Sequence, residues 1–117
     1  MSLDEHDTAY LWDMLQASRE ALSYLSRVSE ARFLKNRMRQ RAVERAIEIL
    51  GEAAGRVSNA ARQDLVDIDW RRIVGQRNVL AHKYSKVDYA LLYNTTREKV
   101  PVLIGVLEKL LEERSRA

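Results

Sequence analysis

Three features of the sequence predict an all-α domain, an up-and-down four-helix bundle with one additional short helix. The 117 residues include a single Pro and four Gly, so little punctuates the chain. Ala, Leu, Glu and Arg fill the segments between breaks, a composition that favours helix. Apolar residues recur at helical spacing in one segment after another. At this length one domain, residues 1–117, is expected, and it can bury a core without disulfide or metal.

The first helix is expected over about residues 4–28. Leu11, Leu15, Leu22 and Leu25 form its apolar stripe, broadened by Tyr10, Met14, Ala17, Ala21 and Tyr24, and Asp4 is placed to cap its first N–H groups. A second helix is expected over about 31–57, with Leu34, Met38, Val43, Ala46, Ile47, Leu50, Ala54 and Val57 facing inward. Arg37, Arg41 and Arg45, four residues apart, share another face. Gly51 and Gly55, one turn apart, would let a neighbouring helix approach closely, each at up to about 1 kcal/mol relative to Ala. Ser58-Asn59 then stops the helix or caps a short piece from Asn59 to about Leu65. Asp69 caps a third main helix, about Trp70 to His82, with Trp70, Ile73 and Leu80 on its apolar side. The segment Tyr84 to Asp88 breaks the period and is the loop expected to carry function. Asp88 caps a last helix, about 89–114, with Leu92, Val100, Leu103, Leu107 and Leu110/Leu111 inward. Pro101 inside it predicts a kink near residues 97–101.

Composition removes several kinds of chemistry. With no Cys and two His, disulfide scaffolds, thiol nucleophiles, zinc fingers and iron–sulfur clusters are excluded. No apolar run approaches the roughly 20 residues of a membrane span, and the acidic start lacks the positive charge of a signal peptide. A cytoplasmic protein without a membrane partner is expected. The net charge of +3 hides an uneven distribution. Asp4, Glu5, Asp7, Asp13 and Glu20 make the first 20 residues acidic, residues 27–45 hold seven bases against Glu30 and Glu44, and residues 70–87 hold five bases and no acid. Such asymmetry suits an anionic partner. For Arg37, Arg39 and Arg41 two readings stand, plain solvated surface or a track for nucleic-acid backbone. No aromatic residues are interleaved among them to stack bases.

Two histidines make the search for catalytic groups short. His6 lies among Asp4, Glu5 and Asp7 with no second His at ligand spacing, so it reads as exposed and inconsequential, and no metal or cofactor is expected. His82 ends the stretch Gln76-Arg77-Asn78-Val79-Leu80-Ala81-His82-Lys83-Tyr84. Asn78 and His82, four residues apart, share a helix face, so the amide can hydrogen-bond the imidazole and set its tautomer. Arg77 is about 140° around the helix from His82, but its long side chain can reach over the same surface. An imidazole beside a guanidinium suits phosphodiester chemistry: His moves a proton near neutral pH while Arg holds the non-bridging oxygens. On RNA the pair could take the proton of a 2′-hydroxyl for attack on its own phosphorus, with no metal required. The plainer reading is that a cationic His at a helix C-terminus gains ~0.3–1 kcal/mol from the helix dipole alone. One Arg and one His make a thin site, which a two-fold dimer bringing two copies face to face would double.

Arg77-Asn78-x3-His82-x-Tyr84 resembles the Arg-x4-His-x-Tyr motif of HepT-like toxins, the ribonuclease toxins of the HEPN superfamily found in toxin–antitoxin pairs. TAYLWDMLQASREALSYL, AVERAIEILGEAAGRVS and DWRRIVGQRNVLAHKYSKVD resemble the family's segments in the family's order, from about Thr8 to Asp88. The resemblance implies a homodimeric, metal-independent endoribonuclease whose two motifs line one cleft. Arg77 and His82 would be the catalytic pair and Asn78 their supporting polar residue, while Arg37, Arg41 and Lys83 are candidate contacts to the RNA backbone on charge alone. The resemblance also implies a cognate minimal nucleotidyltransferase antitoxin that silences the toxin by transferring AMP to Tyr84. The added bulk and negative charge beside the cleft would repel RNA phosphate. From spacing alone, Tyr84 reads instead as a partly buried ring next to Trp70. Lys83 and Ser85 depart from the acid and aromatic that many relatives of this kind carry there. Trp12 and Trp70 read as core or dimer-interface anchors. Two other functions stand beside the toxin: a non-catalytic helical module partnering a nucleotidyltransferase, and a basic dimer that only binds nucleic acid.

Overall fold

A computed structural model describes residues 3–82 and 87–116, and the side chains of residues 3–76 and 87–113. Six helices are present among them: α1 (Glu5–Ser23), α2 (Glu30–Phe33), α3 (Arg37–Arg56), α4 (Asn59–Asp64), α5 (Trp70–His82) and α6 (Tyr89–Arg116). The four long ones form the expected helical bundle. α1 packs against both α3 and α6, α5 packs against α3, and short α2 sits on α6 and α3. The core between them is built from Leu11, Met14 and Leu15 of α1, Val43, Ile47 and Leu50 of α3, and Leu103, Leu107 and Leu111 of α6. Full burial of each such large aliphatic side chain contributes about 1.5–3 kcal/mol.

Short polar side chains start the helices where expected. Asp4 Oδ1 accepts from the Asp7 N–H at 2.7 Å, and Ser58 Oγ from the Ala61 N–H at 3.2 Å. Asp69 Oδ1 accepts from the Arg72 N–H at 3.3 Å, and Asp88 Oδ1 from the Leu91 N–H at 3.0 Å. Each satisfies a donor that the first helical turn cannot pair internally.

Three expectations are corrected. The first helix stops at Ser23 rather than near 28, and Arg27 turns the chain with φ of 59°. The freed carbonyls are collected by arginines: Arg39 Nη1 donates to Tyr24 O at 2.8 Å, and Arg97 Nη2 to Leu25 O at 3.1 Å and Val28 O at 3.0 Å. The second helix is interrupted before residue 37, because Asn36 leaves helical geometry to cap α3, its Oδ1 accepting from Arg39 N–H at 3.1 Å. Buried Gln40 then donates back to Phe33 O at 3.0 Å. This change of direction puts Leu34 (44% exposed) and Met38 (81%) on the surface instead of in the core. Gly55 is exposed with nothing within 4 Å of where a side chain would begin, so no helix approaches there, whereas Gly51 is buried. As expected, exposed Pro101 lies inside α6.

Two junctions fix the direction of α5. Buried Asp7 reaches from α1 to the start of α4, accepting from Ser58 N–H at 2.8 Å and Ser58 Oγ–H at 2.7 Å. Arg62 of α4 folds back on the end of α3, donating to Val57 O, Ala54 O and Gly55 O at 2.8–3.1 Å. Its guanidinium lies 5.7 Å from the Trp70 ring centroid, and Trp70 Nε1 donates to Leu65 O at 3.0 Å. The start of α5 is thereby held at the C-terminal end of α3. Removing the Asp7 carboxylate leaves the Ser58 N–H without its partner, so Asp7→Ala should lower unfolding free energy by about 1–3 kcal/mol in urea titration. A change within about 0.3 kcal/mol would show that this link carries no stability.

Candidate active site

α5 runs antiparallel to α3. Its first residue, Trp70, sits with Arg62 at the α3 C-terminus, and one turn on Ile73 and Gln76 line a small cleft with Ile47 and Leu50 of α3. Because α5 is an unbroken helix of 13 residues, its last turn, with the backbone of Asn78 and His82, continues toward the N-terminal half of α3. That end lies about 18 Å along the axis from Trp70. The side chains of Arg77, Asn78 and His82 lie outside the described residues, as do Lys83 and Tyr84 altogether. The expected pairing of Asn78 with His82 therefore stands on their shared helical face.

The half of α3 toward which α5 points is basic and contains one buried acid. Arg37 and Arg41 are exposed, as the sequence implies. Arg39 is not part of a free track, since its guanidinium is bound to the Tyr24 carbonyl at the end of α1. Glu44 is 5% exposed; its Oε2 accepts from Arg41 Nη1 at 3.2 Å, while its Oε1 has no hydrogen-bond partner among the described residues. Beside it stands Tyr89, the first residue of α6, whose ring meets Phe33 edge-on at 6.5 Å. Burial raises the pKa of the Tyr89 phenol above its ordinary value, and the neighbouring Glu44 carboxylate raises it further. Arg41 and Arg37 act in the opposite direction. The two arginines, Glu44 and Tyr89 thus share one electrostatic environment, and Tyr89 follows His82 by only seven residues of chain.

Glu44 and Tyr89 were not singled out from the sequence as site residues. A signal was available for the first: Gln40, Glu44 and Ile47 share the buried side of α3, and a carboxylate inside an apolar stripe is rarely placed there for packing. His6 is exposed. Trp70 is a partly buried anchor at the α4–α5 junction, whereas Trp12, 48% exposed, lies outside the core, which leaves the interface half of its two readings. No helix among the described residues is long and apolar enough to cross a membrane.

The position of Glu44 has a measurable consequence. Glu44→Gln should bring the Tyr89 ionisation down toward the usual phenol range. Alkaline ultraviolet titration of the variant and parent, each with and without Tyr89→Phe, isolates that one ring, and an unmoved transition would separate the two groups.

The sequence is similar to known proteins over most of its length. Residues 14–110 match the family described as ribonuclease HepT-like. A protein of Methanocaldococcus jannaschii, provisionally named an RNase, is 37% identical over 93 residues, covering 80% of this chain and 85% of its own. A protein of Thermococcus cleftensis named "Probable ribonuclease HepT" is 35% identical over 101 residues, covering 86% of this chain and 92% of its own. No solved structure matches the chain. With the family match spanning most of its length, the chain belongs to the ribonuclease HepT-like family.

Proposed function

We propose that this protein is the endoribonuclease toxin of a toxin–antitoxin pair, cleaving RNA phosphodiesters without a metal through Arg77 and His82. Membership of a ribonuclease family is the observation that carries the reading. It is supported by the course of α5 along α3 toward the half of α3 that carries exposed Arg37 and Arg41.

The chemistry follows from the two side chains. One His82 takes the proton of a ribose 2′-hydroxyl; the oxygen attacks the adjacent phosphorus, and the P–O5′ bond breaks to leave a 2′,3′-cyclic phosphate. The departing 5′-oxygen needs a proton, and a chain with a single usable imidazole obtains it from the His82 of a second copy across a shared cleft. Arg77 holds the non-bridging oxygens as negative charge builds on them, and Asn78 orients the imidazole. Arg37, Arg41 and Lys83 contact flanking phosphates. A cognate minimal nucleotidyltransferase silences the enzyme by adding AMP to Tyr84, two residues beyond the catalytic His, where bulk and negative charge oppose RNA entry.

A basic dimer that binds nucleic acid without cutting it is the second reading, favoured by the exposed arginines of α3. Purified, unmodified protein in EDTA separates the two. The parent should cleave RNA, and His82→Ala should lose about 10²-fold or more in rate. Arg77→Ala should lose a similar factor. Equal cleavage by parent and His82→Ala would remove His82 from the mechanism, and salt-dependent binding without product would favour the second reading. Co-expression with the partner nucleotidyltransferase should add AMP mass to the peptide containing Tyr84, and an unmodified peptide would contradict that mode of control.

A further inference from the structure

The corner between α2 and α3 is a concave surface of about 380 Å³ lined by Val28, Arg32, Lys35, Asn36, Arg37 and Arg39. Four of these six are cationic and none is acidic. Five other arginines, Arg19, Arg41, Arg45, Arg56 and Arg72, each close an ion pair with a carboxylate. The nearest acid in sequence, Glu30, is engaged by the Asn94 amide instead. Arg39 is fixed by its bond to Tyr24 O, and among the described residues the side chains of Arg32, Lys35 and Arg37 have neither an ion pair nor a hydrogen bond. α3 begins here, capped by Asn36, with no acidic residue in its first turn, so the positive end of a 20-residue helix adds to the same field.

Like charges gathered without counter-charge repel one another, and a concave wall concentrates their potential. The patch is continuous with the candidate site, because Arg37 both lines the corner and acts on Tyr89 together with Arg41. We propose that this corner is a docking subsite for the phosphates of single-stranded RNA flanking the scissile bond, with Arg32 and Lys35 as its outer contacts and Arg37 as the bridge to the cleft. No aromatic residue lines it, so it binds the backbone and reads no base. The assignment rests on the ribonuclease reading for its ligand but is tested without catalysis.

The test is fluorescence anisotropy of a labelled single-stranded oligoribonucleotide, titrated at several salt concentrations with the full chain. Arg32→Gln/Lys35→Gln is compared with Lys99→Gln/Lys109→Gln, which removes the same charge from α6. Loss of two phosphate contacts should lower the slope of log affinity against log salt by about 1.4 and weaken binding about tenfold near 0.1 M salt. The α6 pair should leave both nearly unchanged. Equal losses from both pairs, or none from the first, would overturn the subsite. Retained RNA cleavage with unchanged binding defeats the subsite alone, whereas the expected binding loss in a protein that never cuts RNA defeats the ribonuclease reading alone.

Discussion

Burial of α3 on two sides is the constraint on which the rest of this structure depends. One side, with Val43, Ala46, Ile47, Leu50, Ala53 and Ala54, fills the core shared with α1 and supports α5 through Ile73. α5 carries the backbone of the candidate catalytic residues and is held by that packing and by the Trp70 junction at its first turn. Its last turn has its direction set from the other end, by a rigid rod thirteen residues long. Precise helix packing can therefore place a catalytic turn that has few anchors of its own.

The arginines fall into three physical roles that one residue type conceals. Arg39, Arg62 and Arg97 donate to carbonyls at helix ends and turns, where the last turn leaves acceptors unpaired. Arg19, Arg41, Arg45, Arg56 and Arg72 neutralise carboxylates, mostly on exposed faces where such pairs contribute at most about 1 kcal/mol. Three cations in neither role among the described residues, Arg32, Lys35 and Arg37, are gathered at one corner. The modest net charge thus describes the molecule poorly, because it hides a local gathering of cations without counter-charge that Arg37 joins to the Glu44–Tyr89 environment.

Much of the fold was legible because helix starts depend on one short polar side chain. Asp4, Ser58, Asp69 and Asp88 could each be read directly, and the long apolar stripes set which faces are buried. Asn36 obeys the same rule but lies inside a sequence whose periodicity nearly continues across it, so two helices read as one and Leu34 and Met38 were assigned inward. The end of α1 was harder, since it is settled by Arg39 and Arg97, contributed from 15 and 72 residues away. The candidate site divides in the same way. Arg77, Asn78 and His82 were legible as a local motif on one helix, whereas the convergence of Arg37, Arg41, Glu44 and Tyr89 is a tertiary event that no local spacing announces.

The central claim is that the RNA supplies its own nucleophile and the protein moves the protons. It is tested most directly with an oligoribonucleotide carrying a single 2′-deoxyribose immediately 5′ of the preferred scissile phosphate, incubated with unmodified protein in EDTA. The account predicts that this bond stays intact while the all-ribose strand is cut to fragments ending in 2′,3′-cyclic phosphate. Cleavage of the deoxy-substituted bond at an undiminished rate would mean that water attacks the phosphorus, and would contradict the role given to His82.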